Sequence, residues 1–226
     1  MPIYQIFRRR NFLSGLSVNS SLIILNLIFF IFMLILVNTS LINFDYIALK
    51  PTSIFQGQYL WTFLTSMFMH GGFLHLFVNM FSLFFVGGLT EKLLGPKRYL
   101  WFYLISGLFA GVFFVFLEFL FPTAPNIAAV GASGALFGVV GLLMLLTPNL
   151  PVYVMLIPIP IKMKYAAPGL LIILWLISAV PMIFGGERIL IGNTAHLGGL
   201  IMGVLYGFYL KNKFPRKTRM IGRHFR

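Results

Sequence analysis

The chain has no cysteine and only four acidic residues, Asp45, Glu91, Glu118 and Glu187, among its 226 positions. Without thiols there is no disulfide framework, no thiolate nucleophile and no cysteine-ligated metal site, and the redox compartment stays open. Charge of either sign is scarce, at 9% of residues, where soluble domains carry roughly a quarter. Apolar residues fill the space: 59% of the chain is hydrophobic, with 26 Phe, and the mean hydropathy is +0.95. That is more apolar surface than a core of this size can hide from water, so the composition is that of a polytopic membrane protein. The net charge of +13 then reads as basic ends on membrane helices rather than as a nucleic-acid surface. No nucleic-acid partner is expected.

Apolar runs of membrane length lie at 21–38, 72–89, 99–121, 133–147, 168–184 and 193–210, against about 20 residues for a full crossing. They predict an all-α membrane protein with six transmembrane helices. The first run follows Arg8, Arg9 and Arg10 as a signal peptide would, but it is longer than such a segment and no small-residue cleavage site follows. It is expected to be a retained helix. The stretch PVYVMLIPIPIKMKY (151–165) is also apolar, yet Pro151, Pro158 and Pro160 argue for an interfacial loop. Three segments result: a cytoplasmic N-terminal piece (1–20), a transmembrane domain (21–210) and a basic cytoplasmic tail (211–226).

With six spans both termini share a side. That side collects Arg8–Arg10, Lys92, Lys97, Arg98, Lys162, Lys164 and the seven basic residues of KNKFPRKTRMIGRHFR, while only Lys50 and Arg188 fall opposite. The asymmetry makes both ends cytoplasmic, in a multi-pass protein expected in the cell membrane.

Orientation gives each polar residue a depth. His75 and Asn79 lie near the start of span 2, Ser133 opens span 4, and His196 lies near the start of span 6. All four fall in one outer layer, and His75 and Asn79, four apart, share a helix face. Span 4 is short, about 22 Å at 1.5 Å per residue, and Pro148 limits it at the cytoplasmic end. Its N-terminus must therefore begin inside the membrane, with APNIAAVGA descending to meet it. Irregular backbone at that depth is tolerated only in protein or along water, which predicts an outward-opening aqueous pocket with Ser133 at its floor. Singly, such residues are more often backbone-bonded serines or interhelical glue; their convergence points to function. Ala195, Gly199, Gly203 and Gly207 form a small-residue stripe on span 6, and Gly134 and Gly138 a shorter one on span 4. Close packing along those stripes would bring hydroxyl and imidazole within hydrogen-bond reach.

These residues resemble the rhomboid family of intramembrane serine proteases. GASG (131–134) matches G-x-S-G, AHLGGLIMG (195–203) matches A-H-x-x-G-x-x-x-G, and HGGFLHLFVN (70–79) matches H-G-x-x-H-x-x-x-N. The resemblance covers roughly residues 20–210 and implies a six-helix core; with little sequence on either side of it, the chain is expected to be the bare core. It makes Ser133 the nucleophile and His196 the general base. His75, Asn79 and the Ser133 backbone N–H become the oxyanion hole. Two departures stand out. Phe137 occupies a position that is often Tyr, so it can stack on His196 without offering a hydroxyl, and Trp61-Thr62 replaces a frequent Trp-Arg.

The chemistry is consistent with those roles. A serine hydroxyl needs a base, which neutral His supplies, and the tetrahedral anion needs preplaced donors. None of the four acids lies on span 4 or 6, so no third triad member is evident. Transmembrane proteins are the expected substrates and membrane lipids the expected surroundings. No cofactor or metal is expected, since His70, His75 and His196 are too few at these spacings. A silent, client-binding relative would lack Ser133 or His196. A transporter would need polar residues through both leaflets, and spans 4 and 6 are almost purely apolar below Ser133 and His196.

Overall fold

Glycine and proline mark where several helices begin. Gly95, at φ +83°, turns the chain sharply before Pro96 opens a 25-residue helix; the fixed proline φ suits a first turn whose N–H is unpaired anyway. The computed structural model describes residues 16–122, 127–153, 159–183 (backbone alone for 180–183) and 192–225. Arg8–Arg10 and most of the 1–20 segment lie outside them. So do residues 123–126, 154–158 and 184–191, the last with Glu187 and Arg188, and Arg226.

The described chain is mostly helical. It runs through α1 (Val18–Asn38), a 3-10 turn (Phe44–Tyr46), α2 (Pro51–Phe55) and α3 (Thr62–Thr65). Next comes α4 (Phe73–Ser82), which continues through a π turn (Leu83–Gly87) into α5 (Gly88–Leu94). Then follow α6 (Pro96–Leu120), α7 (Ser133–Leu146), α8 (Met163–Ile183), α9 (Asn193–Lys213) and α10 (Pro215–His224). Among the described residues three helices are long and apolar enough to cross a membrane: Val18–Asn38, Phe73–Leu94 and Pro96–Leu120. Ser133–Leu146 and Met163–Ala179 are shorter apolar helices. α9 is as long as α1, but Asn193, Thr194, His196, its glycines and Lys211 and Lys213 dilute its apolar character.

Two boundaries differ from the sequence reading. The segment expected as an interfacial loop over 151–165 pairs β1 (Pro151–Val152) antiparallel with β2 (Ile161–Lys162), and α8 starts at Met163 rather than at 168. The first N–H groups of α8 find partners outside the helix, Met163 N–H on Leu150 O (2.9 Å) and Lys164 N–H on Pro148 O (3.1 Å). The helix thus begins before Pro168, which removes a single bond near its start. The stretch expected as a plain basic tail completes α9 at Lys213 and then forms α10, whose Thr218 is buried against the bundle.

α7 is the innermost helix. Ten of its 14 residues are buried, and it packs most extensively on α9 and then on α6. Around this trio, α1, α4 with its π turn, and α8 turn Phe, Ile, Leu and Trp side chains outward, among them Phe77, Phe81, Phe84, Ile28, Trp175 and Leu176. At the far end of the bundle from Ser133, the Glu91 carboxylate accepts from Val18 N–H and Asn19 N–H, each at 2.9 Å. This supplies the N-terminus of α1 with the anion its dipole favours. The Asn19 amide then donates to Leu83 O in the π turn (2.9 Å), and its oxygen accepts from Tyr99 O–H (2.6 Å).

The descent into α7 is held by backbone. Leu49 and Ala129 exchange N–H···O bonds of 3.0 and 2.9 Å, and Gly131 N–H donates to Ser66 O at 2.8 Å. Within the irregular stretch 127–132, Ala129 and Gly131 are therefore tied by backbone bonds to the segment before α4. The preceding loop is also anchored. Trp61 Nε1–H donates to Tyr46 O (2.8 Å), Tyr59 packs edge-on against Tyr46 and Trp61, and Lys50 pairs with Asp45.

Candidate active site

Ser133 is the first residue of α7, and His196 lies on the first turn of α9. The Ser133 hydroxyl and His196 Nε2 are 2.8 Å apart. Phe137, one turn after Ser133 on the same helix face, stacks on the imidazole at 4.5 Å between centroids with 19° between planes. His196 is buried, and among the described residues no group hydrogen-bonds its Nδ1. If Nε2 accepts from the hydroxyl, Nδ1 carries the proton. The geometry is a hydroxyl–imidazole pair with an aromatic ring holding the imidazole plane.

Glycine makes that distance possible. A Cβ on Gly199 would run into Gly134 O and Gly138 N, and one on Gly203 into Gly138 O and Leu142 N. Backbone therefore meets backbone between α7 and α9, the closest approach two helices can make. The α7 glycines differ in direction. A Cβ on Gly134 would press Ala110 Cβ at 2.8 Å and one on Gly138 the Ser106 side chain at 2.6 Å, so both chiefly admit α6. Gly141, which the sequence reading passed over, takes up the same α7–α9 seam: its Cβ would meet Leu200 O at 2.5 Å.

His75 faces the serine from α4. Its Nδ1 accepts from Gly71 N–H (3.2 Å), so in the neutral ring Nε2 bears the hydrogen. Nε2 points at Gly131: a Cβ there would lie 2.9 Å from His75 Nε2 and 3.7 Å from Ser133 Oγ. Gly131 also holds φ +119°, so both its backbone and its missing side chain bring that N–H toward Ser133. His70, which the reading used only as a motif residue and a spare ligand, is buried with its ring edge-on to His75 at 5.2 Å. Asn79 is buried one turn below His75 and spends one amide hydrogen on His75 O (2.8 Å). Among the described residues no hydrogen bond joins Asn79 to Ser133 or His196; its second amide hydrogen is uncommitted.

The residues around Ser133, His75 and His196 lie within a segment, 57–213, that matches the Rhomboid domain. The chain belongs to the rhomboid family. Rhomboid protein 1, mitochondrial, of Saccharomyces cerevisiae is 31% identical over 164 residues, 71% of this chain and 46% of that protein. Rhomboid protease GluP of Bacillus subtilis is 31% identical over 156 residues, 69% of this chain and 27% of GluP. Inactive RHOMBOID-like protein 8 of Arabidopsis thaliana is 32% identical over 155 residues, 68% of this chain and 39% of that protein. The chain spans less than half the length of these relatives.

This rhomboid protein is accordingly a multi-pass membrane protein of a family whose members are commonly serine proteases. Relatives named as a protease and as inactive have nearly equal identity to it, so activity has to be argued from its own residues.

Proposed function

We propose that this rhomboid protein is an intramembrane serine endopeptidase that hydrolyses peptide bonds in or near the transmembrane segments of membrane proteins. The observation that carries the reading is the 2.8 Å approach of Ser133 Oγ to His196 Nε2, at the head of a helix with no side-chain cap. Six crossings accommodate it: α1, α4 with α5, α6, α7, α8 and α9, with the α7 N-terminus inside the bilayer. α7 is about 21 Å long at 1.5 Å per residue, less than the hydrocarbon thickness of about 30 Å. Fifteen of the 17 Lys and Arg residues then face the cytoplasm with both termini, and the cavity opens outward from the cell membrane. Residues 21–210 form the protease domain between the 1–20 segment and the basic 211–226 segment.

His196 Nε2 takes the Ser133 proton as Oγ attacks the scissile carbonyl carbon, and the carbonyl oxygen becomes an anion. The His75 Nε2–H, the free amide hydrogen of Asn79 and the Ser133 backbone N–H are the donors for it, helped by the positive end of α7. His196 then gives its proton to the leaving amine, and the acyl group remains on Ser133. Water, deprotonated by His196, attacks that ester; as the ester C–O bond breaks His196 returns the proton to Ser133 Oγ, and the carboxylic acid product leaves. Phe137, stacked on the imidazole, keeps the ring in plane through both transfers. Gly134, Gly138, Gly199 and Gly203 keep the two helices at the distance the transfers need.

A fluorophosphonate probe on purified protein, with cleavage of a single-span reporter in liposomes, tests the reading. Labelling at Ser133 and cleavage that both vanish in Ser133→Ala, with cleavage lost in a folded His196→Ala, are expected. Full cleavage by either variant rejects the dyad, and a wild-type protein that neither labels nor cleaves rejects the activity.

A further inference from the structure

The seam between α6 and α9 meets α7 on one side and opens outward on the other. The two helices touch along a line from Gly198, where a Cβ would lie 2.7 Å from Phe113 Cβ, through the stacked rings of Phe102 and Tyr206 (4.8 Å between centroids) to Arg98 and Phe214. Ser106 and Ala110 of α6 and Gly199 and Gly203 of α9 turn to α7. At helical spacing Trp101 and Ile105 flank the contact line on the side of α6 away from α7, and Leu205 and Tyr209 do so on α9. All four are exposed, Trp101 at 58% and Leu205 at 54%, while Tyr206 between them is half-buried. In a membrane protein an exposed apolar wall of this kind faces acyl chains.

Two cations end that wall. Arg98 lies one turn before Phe102, and Lys213 one turn after Tyr209. The Arg98 guanidinium is 5.7 Å and Lys213 Nζ 5.8 Å from the centroid of one ring, that of Phe214, so both charges gather at the same end of the seam. Lys213 Nζ also donates to the Tyr209 hydroxyl (2.7 Å), which leaves the phenol hydrogen for another acceptor. Aromatic rings beside cations where an apolar helix face ends mark the headgroup level. Among the described residues neither cation has a carboxylate partner: Glu91 accepts from the α1 N-terminus, Asp45 pairs with Lys50, and Glu118 lies at the opposite end of α6.

We propose that the outer side of the α6–α9 seam binds one anionic phospholipid, with its phosphate between Arg98 and Lys213 and an acyl chain along the seam beside Tyr206. The guanidinium offers paired N–H donors to phosphate oxygens, the ammonium a point charge, and Tyr209 O–H a third donor. Trp101, Ile105 and Leu205 give the acyl chain apolar surface that a soluble anion does not use. The bound lipid ties the start of α6 to the end of α9, the two helices on which α7 packs most extensively.

Trp101 reports on the site from one turn away. In a Trp61→Phe/Trp175→Phe background it is the sole tryptophan. Nanodiscs of phosphatidylcholine then carry a small fraction of either brominated phosphatidylglycerol or brominated phosphatidylcholine. Quenching of Trp101 should be several times stronger with the brominated phosphatidylglycerol. Arg98→Gln/Lys213→Gln should bring it down to the phosphatidylcholine level. Lys162→Gln/Lys164→Gln, which removes two charges at β2 and the start of α8, should retain it. Native mass spectrometry of the chain with its tryptophans intact should show one phosphatidylglycerol held, lost in the first paired variant and kept in the second. Excess glycerol 3-phosphate should leave the quenching unchanged. Equal quenching by the two brominated lipids, or equal loss in both paired variants, overturns the proposal. So does displacement of the lipid by glycerol 3-phosphate, which would assign the cations to a soluble phosphate compound.

Discussion

The α-carbon of Gly199 sits against the carbonyl of Gly134, so close that a single added methyl group would overlap the α7 backbone. Ser133 precedes Gly134, and His196 lies one turn before Gly199. The separation of the two helices at this point is therefore also the separation of hydroxyl and imidazole. Backbone cannot move aside as a flexible side chain can, so relief requires the helices to part.

Gly199→Leu should consequently lose most activity while every reacting group stays in place. Overpacking costs about 1–3 kcal/mol, and a shift of about 1 Å can cost on the order of a hundredfold in rate. Even Gly199→Ala should show a measurable part of this. Gly169→Ala on α8, where a Cβ meets nothing within 4 Å, should leave activity intact and stabilise by roughly 0.5–1 kcal/mol, because alanine is the better helix former. Cleavage and thermal unfolding of the three variants in one detergent decide the matter; wild-type cleavage by Gly199→Leu would contradict the packing argument.

Gly207 tests whether depth matters. Its Cβ would meet the Leu145 side chain at 3.0 Å rather than backbone, and it lies about two turns further along α9. Gly207→Leu should impair thermal stability at least as much as activity. A variant with normal stability and lost cleavage would show that strain at this depth reaches the dyad.

Gly131 carries two constraints at once. A Cβ would press the His75 ring, 2.8 Å from Cε1, and φ +119° is a conformation L-residues rarely adopt. Gly131→Ala should therefore turn His75 away from Ser133 and lower kcat by one to two orders of magnitude. Gly57→Ala shares the positive φ (+71°) but meets nothing within 4 Å, so it should cost only backbone strain, about 1–3 kcal/mol in stability. Equal kcat losses in the two would place the effect in folding instead.

Asn79→Ala should lower kcat by roughly tenfold to a thousandfold with little change in KM, because the anion it serves exists only in the transition state. The bond to His75 O is intrahelical, so its loss should leave thermal stability nearly unchanged. A loss carried wholly by KM would assign Asn79 to substrate binding.

Asn19→Ala should do the reverse. It leaves Tyr99 O–H and Leu83 O without their partner, and an unsatisfied buried group costs about 1–3 kcal/mol. Thermal unfolding should register the loss, while kcat should hold, since α1 begins at the opposite end of the bundle. A kcat effect without a stability effect would mean that the π turn between α4 and α5 transmits to His75.

Much of this was legible along the chain. Hydropathy alone located α1, the α4–α5 helix and α6 within a few residues, because lipid-facing helices need unbroken apolar runs whatever they pack against. The 133-to-147 run already showed that α7 is short, and parity of the spans already put Ser133 and His196 at one depth. Local signals also misled: prolines 151, 158 and 160 suggested a loop up to 165, whereas carbonyls of Pro148 and Leu150 let α8 begin at Met163. The basic composition of the last residues hid the packing of Thr218 and Gly222 that makes them a docked helix. Other features belong to the tertiary structure alone. The spacing of Gly134, Gly138, Gly199 and Gly203 announces close packing but not direction, and only the assembled bundle turns the first pair chiefly toward α6 and the second onto the α7 backbone. The hydrogen on His75 Nε2 is decided by Gly71 N–H, and the aim of that nitrogen by the missing side chain of Gly131. Periodicity records which face of a helix avoids lipid; rotation and separation come from atoms distant in sequence, and hydrogen bonds depend on tenths of an ångström in both.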